Sequence, residues 1–153
     1  GSVVLLSAHA RLDLAPVLAQ GMILWGHLEN AAAISERNAR LSNNLDVLRS
    51  PIADEALSAW FEVGVDLGPS LGLTDMHLIP FFRFDYYDTM FTTAESVFDN
   101  PRFARAVYTA GLAWRLEELV VAKLDIAHRS LGGFEASGLR DETSVRLAAG
   151  FTF

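Results

Sequence analysis

Twelve charged residues recur at alternate positions within apolar stretches: Arg11, Asp13, Glu62, Asp66, Arg83, Asp85, Arg105, Arg115, Lys123, Asp125, Arg129 and Arg146. Charges two residues apart share one face of an extended chain. Acids and bases are mixed along that face, so the chemistry they suit is electrostatic. They can pair across strands, or border water with a field that acts on small polar or charged solutes. Catalytic chemistry is poorly supplied. Zero Cys removes thiol nucleophiles, disulfides and Cys-bound zinc. His9, His27, His77 and His128 fall in four different segments, with no spacing that would place two of them on one metal. Ser58 and His128 form the one nucleophile–base pair that can be imagined, and nothing in their spacing supports it. Gly132-Gly133 reads as a loop tip rather than a phosphate loop. No catalytic residue, metal ligand or cofactor site is assigned, and an enzyme is not expected.

The chain around these residues has 153 residues, 12 Lys+Arg against 19 Asp+Glu, a formal charge of −7 and 51% hydrophobic residues. This length fits one domain, 1–153. The apolar share excludes a disordered chain, and the acidic balance argues against a nucleic-acid partner. Mean hydropathy is positive, at +0.24. Yet the longest run free of Asp, Glu, Lys and Arg, Leu14 to Leu28, is interrupted by Pro16, Gln20 and His27. It is shorter than the roughly 20 residues of a spanning helix.

The elements that position the charges repeat with period two. In Ser58–Leu67, Ala59, Phe61, Val63, Val65 and Leu67 oppose Ser58, Trp60, Glu62, Gly64 and Asp66. The same split predicts strands over Val3–Leu14, Val17–Glu29, His77–Tyr87, Ala104–Arg115, Leu119–Arg129 and Thr143–Phe153. Val17–Glu29 is less clean, because Ile23 and Trp25 leave apolar groups on both faces. Strands of about ten residues exceed the usual five or six of soluble sheets and match a tilted bilayer crossing. Short links (Ala15–Pro16, Gly68–Met76, Leu116–Glu118) alternate with long ones (Asn30–Leu57, Asp88–Phe103, Ser130–Glu142), as in barrels with short inner turns and long outer loops. Tyr86, Trp114 and Phe153 sit near strand ends on the apolar face, where a membrane boundary favours aromatic rings. These features predict an all-β, antiparallel up-and-down transmembrane β-barrel. With Phe153 placed on the inner side, the first strand descends. An even-stranded barrel then needs at least one more strand before Gly1, so a C-terminal part of a larger barrel is expected.

Trp60–Asp66, Ile79–Thr89, Tyr108–Arg115 and Val121–Arg129 resemble the last strands of bacterial porins, the phosphate-selective-porin-like group and its relatives in particular. The resemblance covers Ser58 to Phe153. It implies an outer-membrane channel, monomeric or trimeric, with a polar lumen. An alternating final strand of Val145, Leu147, Ala149, Phe151 and Phe153 looks like the signal read by the barrel-assembly machinery. The twelve charged residues are then pore-lining candidates, with wall salt bridges as the plainer alternative. In the loop Asn30–Leu57, Ala31–Leu41 has weak helical character, and Arg37, Arg40 and Arg49 are candidates for a constriction folded into the lumen. The resulting expectation is passive diffusion of small polar or charged solutes across the bacterial outer membrane, with lipid and lipopolysaccharide as surroundings and no cofactor. Two alternatives stay open. One is a soluble lipocalin-like ligand-binding barrel, with the apolar face inside. The other is a small filled outer-membrane barrel serving as anchor or adhesin.

Overall fold

The computed structural model describes residues 1–45, 51–117, 119–132 and 141–151. In chain order the elements are β1 (Val3–Leu14), β2 (Val17–Leu28), α1 (Ala31–Leu45), β3 (Glu55–Val65), β4 (Met76–Thr92), β5 (Ala104–Leu116), β6 (Val120–Leu131) and β7 (Glu142–Phe151). The seven strands form one antiparallel up-and-down sheet in sequence order. β1 and β7 are its edges and do not pair with each other, so the sheet is open.

The strand boundaries differ from the sequence expectation mainly between β3 and β4. The polar pair Asp88-Thr89 reads as the start of a loop. In the structure the Asp88 carboxylate accepts the Met90 amide at 2.8 Å. A register shift between Glu55 and Leu57 absorbs the extra β4 residues. The hairpin therefore runs on to Glu55 opposite Thr92. The link after β4 shrinks to residues 93–103, while the link 66–75 at the opposite end of the sheet is of similar length. The contrast between long and short links thus rests chiefly on residues 29–54, where α1 is longer than the predicted helical stretch.

Register fixes which side chains share a face. One row runs Leu12, Ala19, Val63, Phe82, Ala110, Ile126, Val145 across all seven strands. Another runs Arg11, Gln20, Glu62, Arg83, Thr109, Ala127, Ser144 on the opposite face. Ile23 and Trp25 both join the apolar face. What blurred β2 in the sequence is Leu18, Met22, Leu24 and Leu28, which share the charged face.

Burial is inverted relative to a water-soluble sheet. Of the buried strand residues, Gly64, Ile79, Phe81, Thr109, Asp125, Ala127 and Leu131 lie on the charged face, and Met90 is buried as well, in the extension of β4 past Asp88. The apolar face is uncovered: Ile126 is 55% exposed, Leu124 51% and Phe61 47%. Along β6 the pattern alternates residue by residue, with Asp125 and Ala127 buried between exposed Leu124, Ile126 and His128. Aromatic rings crowd the middle of the apolar face as well as its ends. Phe84 lies 5.2 Å from Tyr108 and 5.8 Å from Phe61, centroid to centroid.

The sheet curls toward its charged face. Adjacent strands are about 4.8 Å apart, so β3 and β6 would stand about 14 Å apart if the sheet were flat. Yet Lys123 Nζ on β6 is 3.9 Å from Glu62 Oε2 on β3. Glycines admit the tight inner packing. A Cβ on Gly111 would fall 2.6 Å from Asp125 Cβ and 2.7 Å from the Phe81 ring. Phe81 occupies that space with Lys123 Nζ 3.9 Å from its ring centre.

Gly111→Val should therefore overpack the inner face and cost about 1–3 kcal/mol. Gly150→Ala, whose new Cβ meets nothing within 4 Å, should change stability by no more than about 0.5 kcal/mol. Equilibrium urea unfolding of the two variants beside the parent checks this.

Candidate functional site

The charged face is built strand by strand, each contributing alternate side chains to one concave surface. Its centre is a chain of contacts around Glu62. Gln20 on β2 donates to the Glu62 carboxylate at 3.1 Å. Arg83 on β4 and Lys123 on β6 each stand 3.9 Å from it. Arg83 also binds Asp85, two residues along its own strand, through Nη2 at 2.6 Å and Nε at 3.0 Å. Its guanidinium lies over the Trp60 ring at 4.3 Å. A second node joins Asp125 on β6 to Arg146 on β7 at 2.6 Å, and Arg146 reaches Thr109 on β5 at 3.4 Å. Arg83, Asp85, Lys123, Thr109, Asp125 and Arg146 border a cavity of about 530 Å³.

The remaining pore-lining candidates stand apart from this centre. Arg11 and Asp13 pair on β1 at 2.9 Å, both exposed. Arg105 donates to the Tyr87 hydroxyl at 3.2 Å and lies 5.5 Å from its ring centre. Arg129 pairs with Glu142 on β7. Arg115 is exposed near the end of β5. Asp66 lies just past β3 and faces His77 Nδ1 at 2.5 Å. Burial works against its charge. The hydrogen bonds with His77 and the Gly68 amide, with Arg115 nearby, outweigh that and hold its carboxyl below the usual carboxylate range.

The candidates outside the sheet are placed differently. Arg37 and Arg40 are exposed on α1, and Arg40 stands 3.8 Å from Glu36 on the same helix. Ser35 on that helix exchanges hydrogen bonds with Ile52, accepting from its amide at 2.9 Å and donating to its carbonyl at 3.1 Å. A shallow cleft separates the helix from Ser96, Val97 and Phe98 of the link after β4. Arg49 lies outside the described residues. So does Phe153 of the final-strand signal, while Val145, Leu147, Ala149 and Phe151 line up on the apolar face of β7. Ser58 faces the charged side and His128 the apolar side, so the sheet itself separates that pair. Among the described residues no three His, Asp or Glu side chains are grouped to hold a metal.

Sequence reasoning missed the partners that organise the cations. Trp60, Phe81 and Tyr87 each lie against one, Glu142 pairs with Arg129, and His77 hydrogen-bonds Asp66. The available signal was an aromatic two or four residues from a charge on the same face, as in Phe81, Arg83, Asp85, Tyr87. Comparison with family models, curated proteins and solved structures finds no match to this chain.

The two ion pairs on β1 and on β6–β7 differ sharply in setting. Asp125 is 6% exposed, so Arg146→Ala strands a buried carboxylate and should cost about 1–3 kcal/mol. Arg11→Ala breaks an exposed pair worth about 0–1 kcal/mol. Thermal or urea unfolding of the two variants under one condition reads the difference.

Proposed function

We propose that this sheet is the wall of an outer-membrane β-barrel that passes small polar or charged solutes by passive diffusion. The observation that carries the reading is the inverted burial: an uncovered apolar face on every strand, with the charges gathered on the concave side. A lipid bilayer is the solvent in which such a surface is the stable one. The apolar band fits in extent. On β2 it runs from Val17 to Trp25 before His27, and on β4 from Met76 to Tyr86 before Asp88. Such runs suit an apolar belt about 25 Å tall crossed by tilted strands. A lipocalin-like barrel would need the opposite curl, with the apolar face enclosed.

The unpaired edges belong to the same proposal. No open edge is tolerated in hydrocarbon. β1 and β7 run in the same direction, so closing the sheet with antiparallel pairs requires an odd number of further strands. A larger, even-stranded barrel meets that requirement. The resemblance of Ser58–Phe153 to the last strands of porins agrees with it. In this proposal lipid and lipopolysaccharide surround the apolar belt, the β7 stripe serves the assembly machinery, and a homotrimer is a possible arrangement. Arg37, Arg40 and Arg49 on the long outer loop remain proposed narrowing residues.

Ile126→Arg separates the membrane reading from the soluble one. A cation at mid-belt facing lipid costs about 2–4 kcal/mol. On a water-exposed face the same change is within about 0.5 kcal/mol. The expected result is that the complete barrel containing these seven strands fractionates with outer membranes, needs detergent for extraction and gives discrete conductance steps in planar bilayers, while its Ile126→Arg variant assembles poorly. A complete protein that stays in detergent-free extract, with a variant equally stable there, contradicts the proposal.

A further inference from the structure

We infer that the inner groove beside β1 and β2 takes organic anions with an apolar body, of the kind represented by medium-chain alkyl carboxylates, in preference to small inorganic anions. This rests on the channel reading and names its solute class. The groove holds about 200 Å³ and spans the curl from β1 to β6. Its floor is apolar, formed by Leu18, Ile79 and Phe81. Gly64 keeps that floor open, since a Cβ there would fall 2.8 Å from Ile79 Cγ2. Three cations stand around the floor: Arg11 on one side, Arg115 and Lys123 on the other. The groove also contains Asp13, Glu62 and Gln20, but both carboxylates are already engaged, Asp13 by Arg11 and Glu62 by Gln20, Arg83 and Lys123. Arg115 forms no salt bridge within 4 Å among the described residues, so its guanidinium is the cation open to an incoming carboxylate.

The surrounding wall continues the same division. Toward the outer end, the charged face on β1 and β2 carries Leu5, Met22 and Leu24 rather than charges, and Leu5 is 68% exposed. From β3 onward every strand carries at least one ion on that face. On the strands, that face holds seven cations (Arg11, Arg83, Arg105, Arg115, Lys123, Arg129, Arg146) against five carboxylates (Asp13, Glu62, Asp85, Asp125, Glu142), although the chain as a whole is −7. A carboxylate head suits the planar guanidinium fork. An alkyl tail gains from the floor by about fourfold in affinity for each methylene removed from water. An inorganic anion has the same head contact and gains nothing from Leu18 or Phe81.

The test is block of potassium chloride conductance by acetate, hexanoate and inorganic phosphate, using the complete barrel in planar bilayers with protein-free bilayers as controls. Hexanoate should block at a concentration about tenfold or more below acetate and phosphate. Leu18→Ser should narrow the gap between the two carboxylates, and Arg115→Gln should weaken both by a similar factor. Equal block by acetate and hexanoate in a conducting parent overturns the inference and leaves the channel reading intact. So does a gap that Leu18→Ser leaves unchanged. A parent without conductance overturns the channel reading and this inference with it.

Discussion

The structure depends on a single geometric constraint. A strand sends successive side chains to opposite faces, and this chain keeps one face largely apolar and gathers most of the strand charges on the other, together with apolar groups on β1, β2 and β4. Such a sheet can shield only one face by curling. Here the curl goes toward the charges, and the ion pairs across strands are what favour it. Glu62 draws Lys123 from three strands away, and Asp125 ties the last strand to β6. The large apolar side chains are left outside, and the proposed membrane reading is the one that accounts for them.

The inner packing keeps the charges in place without leaving them bare. Arg83 and Lys123 each lie on an aromatic ring as well as beside a carboxylate, which orients the cation and covers part of the ring. Phe81 fits only because Gly111 faces it with no side chain. Backbone, aromatic and ion therefore act as one unit, and a change in any of the three alters the shape of the wall.

Period-two patterning made the strands legible from the sequence, because the pattern depends only on local geometry. All seven strands and the identity of both faces follow from it. The boundary errors have local causes. The β4 extension turns on a hydrogen bond that the Asp88 carboxylate accepts from the Met90 amide, which no hydropathy pattern announces. The helix α1 extends past Leu41 through Asn43 and Asn44, which have weak intrinsic preference for it. The site was legible only in part. That Glu62, Arg83, Asp85, Lys123, Asp125 and Arg146 share a face was readable from spacing. That Lys123 reaches Glu62 was not, since the contact arises from curvature accumulated over three strands. Alternation by itself did not give the direction of the curl, being symmetric with respect to inside and outside; the expectation of charges on the inner face came from strand length and loop asymmetry.

The most direct test of the central claim is a nitroxide scan along β6, one label at a time at Ala122, Lys123, Leu124, Asp125 and Ile126, in the protein reconstituted into lipid. Accessibility to oxygen, which concentrates in hydrocarbon, is measured against accessibility to a polar nickel chelate. The account expects period-two alternation, with oxygen favoured at Ala122, Leu124 and Ile126 and the chelate favoured at Lys123 and Asp125. The reverse phase, or high chelate accessibility at all five positions, would contradict it.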